Sequence, residues 1–177
     1  SFVVTSPPYI NVFNYHQNYR KAMEMVGYDI LKIAKSEIGA NRKFRQNRFL
    51  TVIQYCIDMS MFFVDLRRIC MDNAKIIIII GRESNIRKVS INNSKIIRQL
   101  AKNTGFKIVG SRERYFTNKF GKTIYEDILR FEILEDFVVK DVISNSRRTA
   151  VSILENALKC NKTVRDEVEA AINSSSD

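Results

Sequence analysis

Ser6, Pro7, Pro8 and Tyr9 are the residues of this chain whose types and order could do chemistry together. Phe2 to Thr5, aromatic and β-branched, reads as a buried strand, and the two prolines that follow have no N–H with which to continue a sheet ladder. The strand must therefore end in a stiff turn. Proline fixes φ at Pro7 and Pro8 and biases Ser6 and Pro7 away from the helical region, so the carbonyls of the turn point in set directions with Tyr9 held just beyond them. The result is a rigid set of acceptors beside an aromatic ring. The exocyclic amino group of a nucleobase is a poor nucleophile because its lone pair is delocalised into the ring. Acceptors that hold its protons, here the Ser6 side chain and the Pro7 carbonyl, draw the nitrogen toward a reactive geometry, and Pro8 stiffens the turn. Tyr9 can stack on the same base once it has left the duplex, since flipped bases are read through their Watson–Crick edge and by aromatic stacking.

Thr5-Ser-Pro-Pro-Tyr9 resembles the catalytic motif of the amino-group DNA methyltransferases, which use S-adenosylmethionine to methylate cytosine at N4 or adenine at N6. The similarity continues in order through Tyr9 to Arg20, Val26-Gly-Tyr28, Glu37-Ile-Gly39 with Arg42 and Lys43, the stretch Ala74 to Gly81, and Asn118 to Lys122 ahead of Glu126-Asp-Ile-Leu129. It covers Phe2 to Leu134. The resemblance implies a partial Rossmann-like, S-adenosylmethionine-dependent methyltransferase fold of the α/β class over residues 1–134, its later strands ending in an antiparallel hairpin, with a helical C-terminal extension over residues 135–177. It implies methylation of a flipped base in double-stranded DNA, in a restriction-modification context, with cytosine N4 favoured because the serine-first motif goes more often with cytosine. By the same resemblance Ser6, Pro7, Pro8 and Tyr9 are catalytic, Ser6 and Pro7 also border the cofactor, and Tyr15, His16 and Arg20 lie beside the substrate pocket to position the target strand. No general base is demanded, because the amino proton can be lost to water after transfer.

One part of that family pattern is absent. The cofactor site of the family needs a glycine-rich turn of the Phe-x-Gly-x-Gly kind, and Gly27, Gly39, Gly81, Gly105, Gly110 and Gly121 form no such cluster. The cofactor half is expected on an upstream segment or a second chain, or to have been lost; the sequence opens at Ser1 without an initiator Met, in keeping with a longer reading frame or removal of one. Two other function classes stay open. The chain could be a non-catalytic DNA-binding or subunit-interaction module derived from a methyltransferase, or a fragment of an RNA methyltransferase, where Asn-Pro-Pro-Tyr and Asp-Pro-Pro-Tyr turns also occur.

Charge points to the same partner. The 29 basic against 19 acidic residues give a net +10, which attracts a polyanion through counterion release. Lys35, Arg42, Lys43, Arg45 and Arg48 cluster around Phe44 and Phe49, and Arg112, Arg114, Lys119 and Lys122 form a second group. Phosphate contact is favoured over simple solvation for the first group; for the second the two are balanced.

The elements that must position the turn follow from periodicity. Tyr19, Met23 and Val26 recur at helical spacing and predict a short amphipathic helix from about Asn14. Phe44 to Met71 is the longest helical pattern, with Phe49, Val52, Ile53, Cys56, Ile57, Met59, Phe62, Phe63, Leu66 and Ile69 on a wide apolar face. Ala74 to Gly81 contains five consecutive isoleucines, as expected of a central parallel strand covered on both faces. Asn92 or Asn93 should cap a helix that runs to Asn103 and stops at Gly105. Phe106 to Phe116 and Thr123 to Leu134 read as a hairpin, and two helices follow, the second opened by a Thr163/Asp166 capping box. The default role of this extension is to dock on the sheet.

At 177 residues with 45% hydrophobic content the chain is one domain's worth. It has no signal-peptide pattern and no window apolar enough to span a bilayer. Cys56, Cys70 and Cys160 are odd in number and widely spaced, which suits free thiols in a reducing cytoplasm, and with a single His they lack the spacing of a metal site.

Overall fold

The computed structural model describes residues 1–10, 14–39, 44, 46–160 and 162–175, and for 160 and 162 the backbone only. Its centre is a mixed four-stranded sheet in the order β1, β2, β6, β5, formed by Phe2–Thr5, Lys75–Gly81, Thr123–Ile133 and Phe106–Thr117 respectively. β1 and β2 run parallel, with Val3 beside Ile76 and Thr5 beside Ile78. β6 is antiparallel to both β2 and β5, placing Glu126 opposite Gly81 and Arg114 opposite Glu126.

Between β1 and β2 the chain forms α1 (Tyr15–Asn18), α2 (Arg20–Met25), α3 (Ile30–Ser36) and the long α4 (Leu50–Ile69). The single helix expected from Asn14 is broken at Tyr19. Its predicted apolar stripe does not become core, for Tyr19 is 58% and Val26 73% exposed. α3 begins at Asp29, whose carboxylate accepts from the backbone N–H groups of Leu31 and Lys32 and so satisfies two donors left open at the helix start. α4 buries Val52, Ile53, Cys56, Met59, Phe63 and Leu66 of the face read from its spacing, adds Tyr55 to it and leaves Ile69 exposed.

Beyond β2 an unexpected hairpin, β3 (Glu83–Ile86) and β4 (Val89–Asn92), turns through Arg87 and Lys88 at φ +50° and +66°. Two-residue hairpin loops favour positive φ, and Gly, Asn or Asp normally supply it. α5 (Asn93–Asn103) is capped by the Asn92 side chain as expected. The last helices, α6 (Val142–Cys160) and α7 (Arg165–Asn173), join the core through Ala150, Leu154, Ala157, Val168 and Ala171. α6 reaches it by packing on α4, α5 and β4 rather than on the four-stranded sheet, and α7 packs on α6; Ser146 of α6 donates to Ser60 of α4 at 2.7 Å. α7 follows a 3-10 turn over Lys162–Val164, with Val164 at its N-cap position.

The core lies on one side of the sheet. Ile76, Ile78 and Ile80 are buried there with Leu129, Phe131 and Ile133, and Phe63 meets Phe106 and Phe131 with ring centroids 5.2 and 6.0 Å apart. The other side holds Phe2 and Val4, 65% and 54% exposed, with Ile77 and Ile79 half-buried. The five isoleucines are thus not enclosed on both faces, and β2 is parallel only to β1. No helix among the described residues is long and apolar enough to cross a membrane. Cys56 is buried, Cys70 half-buried, and both are free. Among the described residues no group of His, Cys, Asp and Glu could hold a metal ion.

Candidate active site

The proline turn stands at the end of β1, beside the end of β2 and the start of the paired part of β6. Pro7 and Ile10 are buried while Ser6 is exposed and Tyr9 half-buried, so the turn is anchored through its prolines and offers Ser6 to solvent. Tyr55 of α4, fully buried, donates its hydroxyl to the Pro8 carbonyl at 3.0 Å, and burial pushes its phenol well above the usual range, keeping it a donor. With Pro8 engaged, Pro7 carries the proline carbonyl that is unpaired among the described residues.

Two glycines make room for Tyr9. A Cβ on Gly81 would sit 2.7 Å from Tyr9 Cε2, so the ring lies against the β2 backbone, and a Cβ on Gly39, at φ +73°, would come within 3.0 Å of the Tyr9 carbonyl. The ring is therefore backed on one side by main chain.

The Tyr9 hydroxyl joins the turn to β6. It donates to Glu126 Oε1 at 3.3 Å and lies 3.2 Å from Ser6 Oγ, while Glu126 Oε2 receives Arg114 at 2.6 Å. The directions of these bonds follow from chemistry. A salt-bridged carboxylate only accepts, so the one phenolic proton goes to Glu126, and Ser6 must donate its own proton to the Tyr9 oxygen. The exposed Ser6 oxygen then keeps its lone pairs free to accept. Bonds in such a chain polarise one another, which strengthens the acceptor at its end. Burial, with help from the Glu126 charge and against the Ser6 hydrogen bond, raises the Tyr9 phenol above its ordinary value, so it stays protonated at neutral pH.

A second network flanks the first. Arg82, just past β2, bonds Asp127 Oδ1 at 2.8 Å and also pairs with Glu113, while its guanidinium lies 5.3 Å from the centre of the Tyr125 ring. Burial alone would raise the Asp127 carboxyl, but hydrogen bonds from Arg82 and Ser94 and the charges of Arg82 and Arg98 hold it below its usual value.

The four residues of the turn are thus together, and Glu126, Arg114, Arg82, Asp127 and Tyr55 are members that the sequence reading gave no role at the site. A signal existed for two of them: Glu126 and Asp127 stand side by side among the apolar residues Ile124, Tyr125, Ile128 and Leu129, and both are 8% exposed. His16 is 1% exposed, its Nδ1 lies 2.7 Å from Glu37 Oε2, and its backbone N–H also bonds that carboxylate, so it ties α1 to the loop before Gly39. Arg20 is exposed and pairs with Glu24 at 2.7 Å, and Tyr15 is half-buried on α1. Arg42, Lys43 and Arg45 lie outside the described residues. Lys119 and Lys122 sit in the connection between β5 and β6 with Phe120, 81% exposed, whose ring lies 5.0 Å from the Lys119 ammonium. β2 pairs with β6 only from Gly81 to Ile76, so this hairpin projects past the end of β2, next to Tyr9, carrying exposed Tyr115, Phe116 and Tyr125.

No protein-family model and no solved structure matches the chain. A stretch of 95 residues is 28% identical to the type II methyltransferase M.MjaII of Methanocaldococcus jannaschii, covering 54% of this chain and 17% of that protein. The chain is similar to part of a type II methyltransferase. It spans less than a fifth of that relative's length, and its mixed sheet with C-terminal helices is compatible with a methyltransferase fold.

Proposed function

We propose that the chain is the catalytic-turn part of a Rossmann-like DNA amino-methyltransferase, acting on cytosine N4 of a base flipped out of double-stranded DNA in a restriction-modification context. The observation that carries this reading is the chain of hydrogen bonds from Arg114 through Glu126 and Tyr9 to Ser6. It leaves the lone pairs of an exposed serine free to accept, near the Pro7 carbonyl, which is unpaired among the described residues. Two acceptors beside each other suit a group with two protons, and an exocyclic amine is such a group. The Tyr9 ring, backed by Gly81, offers its remaining face to the base, and Lys119 and Lys122 on the projecting hairpin meet the phosphates nearby.

S-adenosylmethionine supplies the methyl group in this chemistry. The residues present fit only its methyl-bearing end, where Ser6 and Pro7 would border it; Ser6 is exposed, and the neighbouring strand face is open at Phe2 and Val4. They make no cradle for the adenosyl group. The remainder of the cofactor site is assigned to a second chain or a further segment of the polypeptide. β1 supports this assignment: it hydrogen-bonds to β2 along one edge only and leaves its outer edge unpaired beside those exposed apolar residues, a template for another strand.

Calorimetry of S-adenosylmethionine with the chain alone and with its neighbouring gene product or upstream segment tests the proposal. No binding alone and binding when the two are combined is the expected result. Binding by the isolated chain would overturn the assignment of the cofactor half to another segment, and no binding in either case would move the function to a non-catalytic DNA-binding module.

A further inference from the structure

A groove of about 890 Å³ runs between α5, α6 and the start of β5, away from the proline turn. Five of its lining residues are basic: Lys95, Arg98 and Lys102 from α5, Lys107 from β5 and Arg148 from α6. None of its lining residues is acidic. Among the described residues none of the five cations is in an ion pair, although this chain forms several elsewhere. Arg98 donates to Ser94 and Ser111, at 3.3 and 2.5 Å, and Arg148 to Asn145 at 2.7 Å, which hold these two guanidinium groups in place without neutralising them. Lys107 has Glu132 as its cross-strand neighbour but forms no ion pair with it. The floor is apolar, made by Phe106, Ile108 and Ile153.

The spacing of these charges suits a polymer of phosphates. Positions 95, 98 and 102 fall on one face of α5 at steps of three and four residues. At 1.5 Å per residue they span about 10 Å, a row that lies along a chain of phosphates rather than converging on one anion. An apolar floor between cationic rims suits deoxyribose faces between phosphates better than a compact anion, which would fill little of 890 Å³. The groove also leads to the site. Its Arg98 end acts on Asp127, the partner of Arg82, and the Ser94 N–H reaches the Arg82 carbonyl.

We infer that this groove is a track for the sugar-phosphate backbone of duplex DNA that extends from the Arg82–Asp127 pair along α5 to Lys107. The choice of duplex rests on the proposed DNA methylation; the recognition of phosphate rests on the groove itself. The track carries no sequence information, because phosphate contacts fix register and orientation while base edges specify.

The test is binding of the full chain to a fluorescent DNA duplex, followed by anisotropy from low to moderate salt. Three proteins are compared: the native chain, a groove variant with Lys95→Gln, Lys102→Gln and Lys107→Gln, and a control with Lys75→Gln, Lys140→Gln and Lys159→Gln, which loses the same charge outside the groove. Each lost phosphate contact lowers the slope of log K against log salt by about 0.9. The groove variant should therefore lose about 2 to 3 from the slope, and the control well under 1. Equal changes in the two variants, or no change in the groove variant, would overturn the inference. A native chain that binds no duplex would overturn it as well. The outcome is independent of cofactor binding: an altered slope in a chain that never binds S-adenosylmethionine keeps the track and removes the methyltransferase reading, while restored cofactor binding with unchanged slopes does the reverse.

Discussion

Where β1 and β2 finish, Arg82 and Arg114 meet the side-chain carboxylates of Asp127, Glu113 and Glu126; at the opposite end of the sheet Arg67 of α4 reaches the backbone carbonyls of Gly105, Leu134, Glu135 and Phe137. The same residue type serves two purposes. Arg67 satisfies chain ends where α5 turns into β5 and where β6 leaves the sheet, closing the fold with acceptors that cannot move. The arginines beside the proline turn pair with carboxylates that in turn hold a phenol and a serine, and their network ends at solvent in Ser6. One end spends its charge on closure, the other on setting the direction of a hydroxyl. Changes at the first should therefore be felt in stability, and changes at the second in turnover.

The largest effect tests the closing end. Arg67→Ala removes charge-assisted bonds to several carbonyls, each worth about 1.5 to 3 kcal/mol in favourable cases but discounted here for partial exposure, so an unfolding free energy lower by about 2 to 4 kcal/mol is expected in denaturant titration. DNA affinity should stay as it was. If Arg67→Ala left stability unchanged and lowered turnover, the contrast between the two ends would be lost.

Next come the residues of the relay, assayed with the cofactor-bearing segment supplied. On the proposed function Ser6→Ala deletes an acceptor for the target amino group, and loss of one preorganised polar group of this kind lowers turnover by about 10² to 10³. Duplex affinity and melting temperature should hardly move, since Ser6 is exposed. Tyr9→Phe keeps the ring against Gly81 but cuts Ser6 from Glu126, and it should reduce turnover while keeping base capture. Tyr9→Ala should also lose the stacking, worth about 1 to 3 kcal/mol. Equal loss of base capture in both variants would argue against stacking.

The smallest effect concerns pH. The Asp127 carboxyl is held below its unfolded value, so its contribution to stability is complete above the unfolded pKa, near 3.8, and is lost as pH falls through the lower folded value. Asp127→Asn should flatten the stability profile in that acid range and change it little at neutral pH. An unaltered acid limb would mean that the Arg82 network does not favour the ionised carboxylate.

Much of the framework was legible because it is local. The strand ending at Pro7, the Ile-rich β2, the Asn92 cap of α5 and the β5–β6 hairpin each declare themselves through a few neighbouring residues. The β3–β4 hairpin did not, because Arg87 and Lys88 fill a loop that usually announces itself with Gly, Asn or Asp, although Ile86, Val89 and Ile91 alternate inward. The stripe of Tyr19, Met23 and Val26 misled for the opposite reason: its spacing is helical, yet the helix breaks at Tyr19 and no core lies beside it. The proline turn was readable as a stiff end to β1, but the group that bonds Tyr9 was not. Glu126 meets Tyr9 across 117 positions through the register of β2 with β6, which no nearby residue reveals. The open face of β2 is of the same kind, since a run of isoleucines states that a strand is apolar and says nothing of which faces a layer covers.

The most direct test of the central claim is a double-mutant cycle on methyl transfer to duplex DNA, with Ser6→Ala, Glu126→Ala and the pair combined, in the presence of the cofactor-bearing segment. If Glu126 acts through Tyr9 to orient Ser6, each single variant loses turnover with unchanged DNA affinity, and the double variant is scarcely worse than Ser6→Ala alone, as for groups that work as one unit. Full turnover in Glu126→Ala, or losses that multiply in the double variant, would contradict the relay.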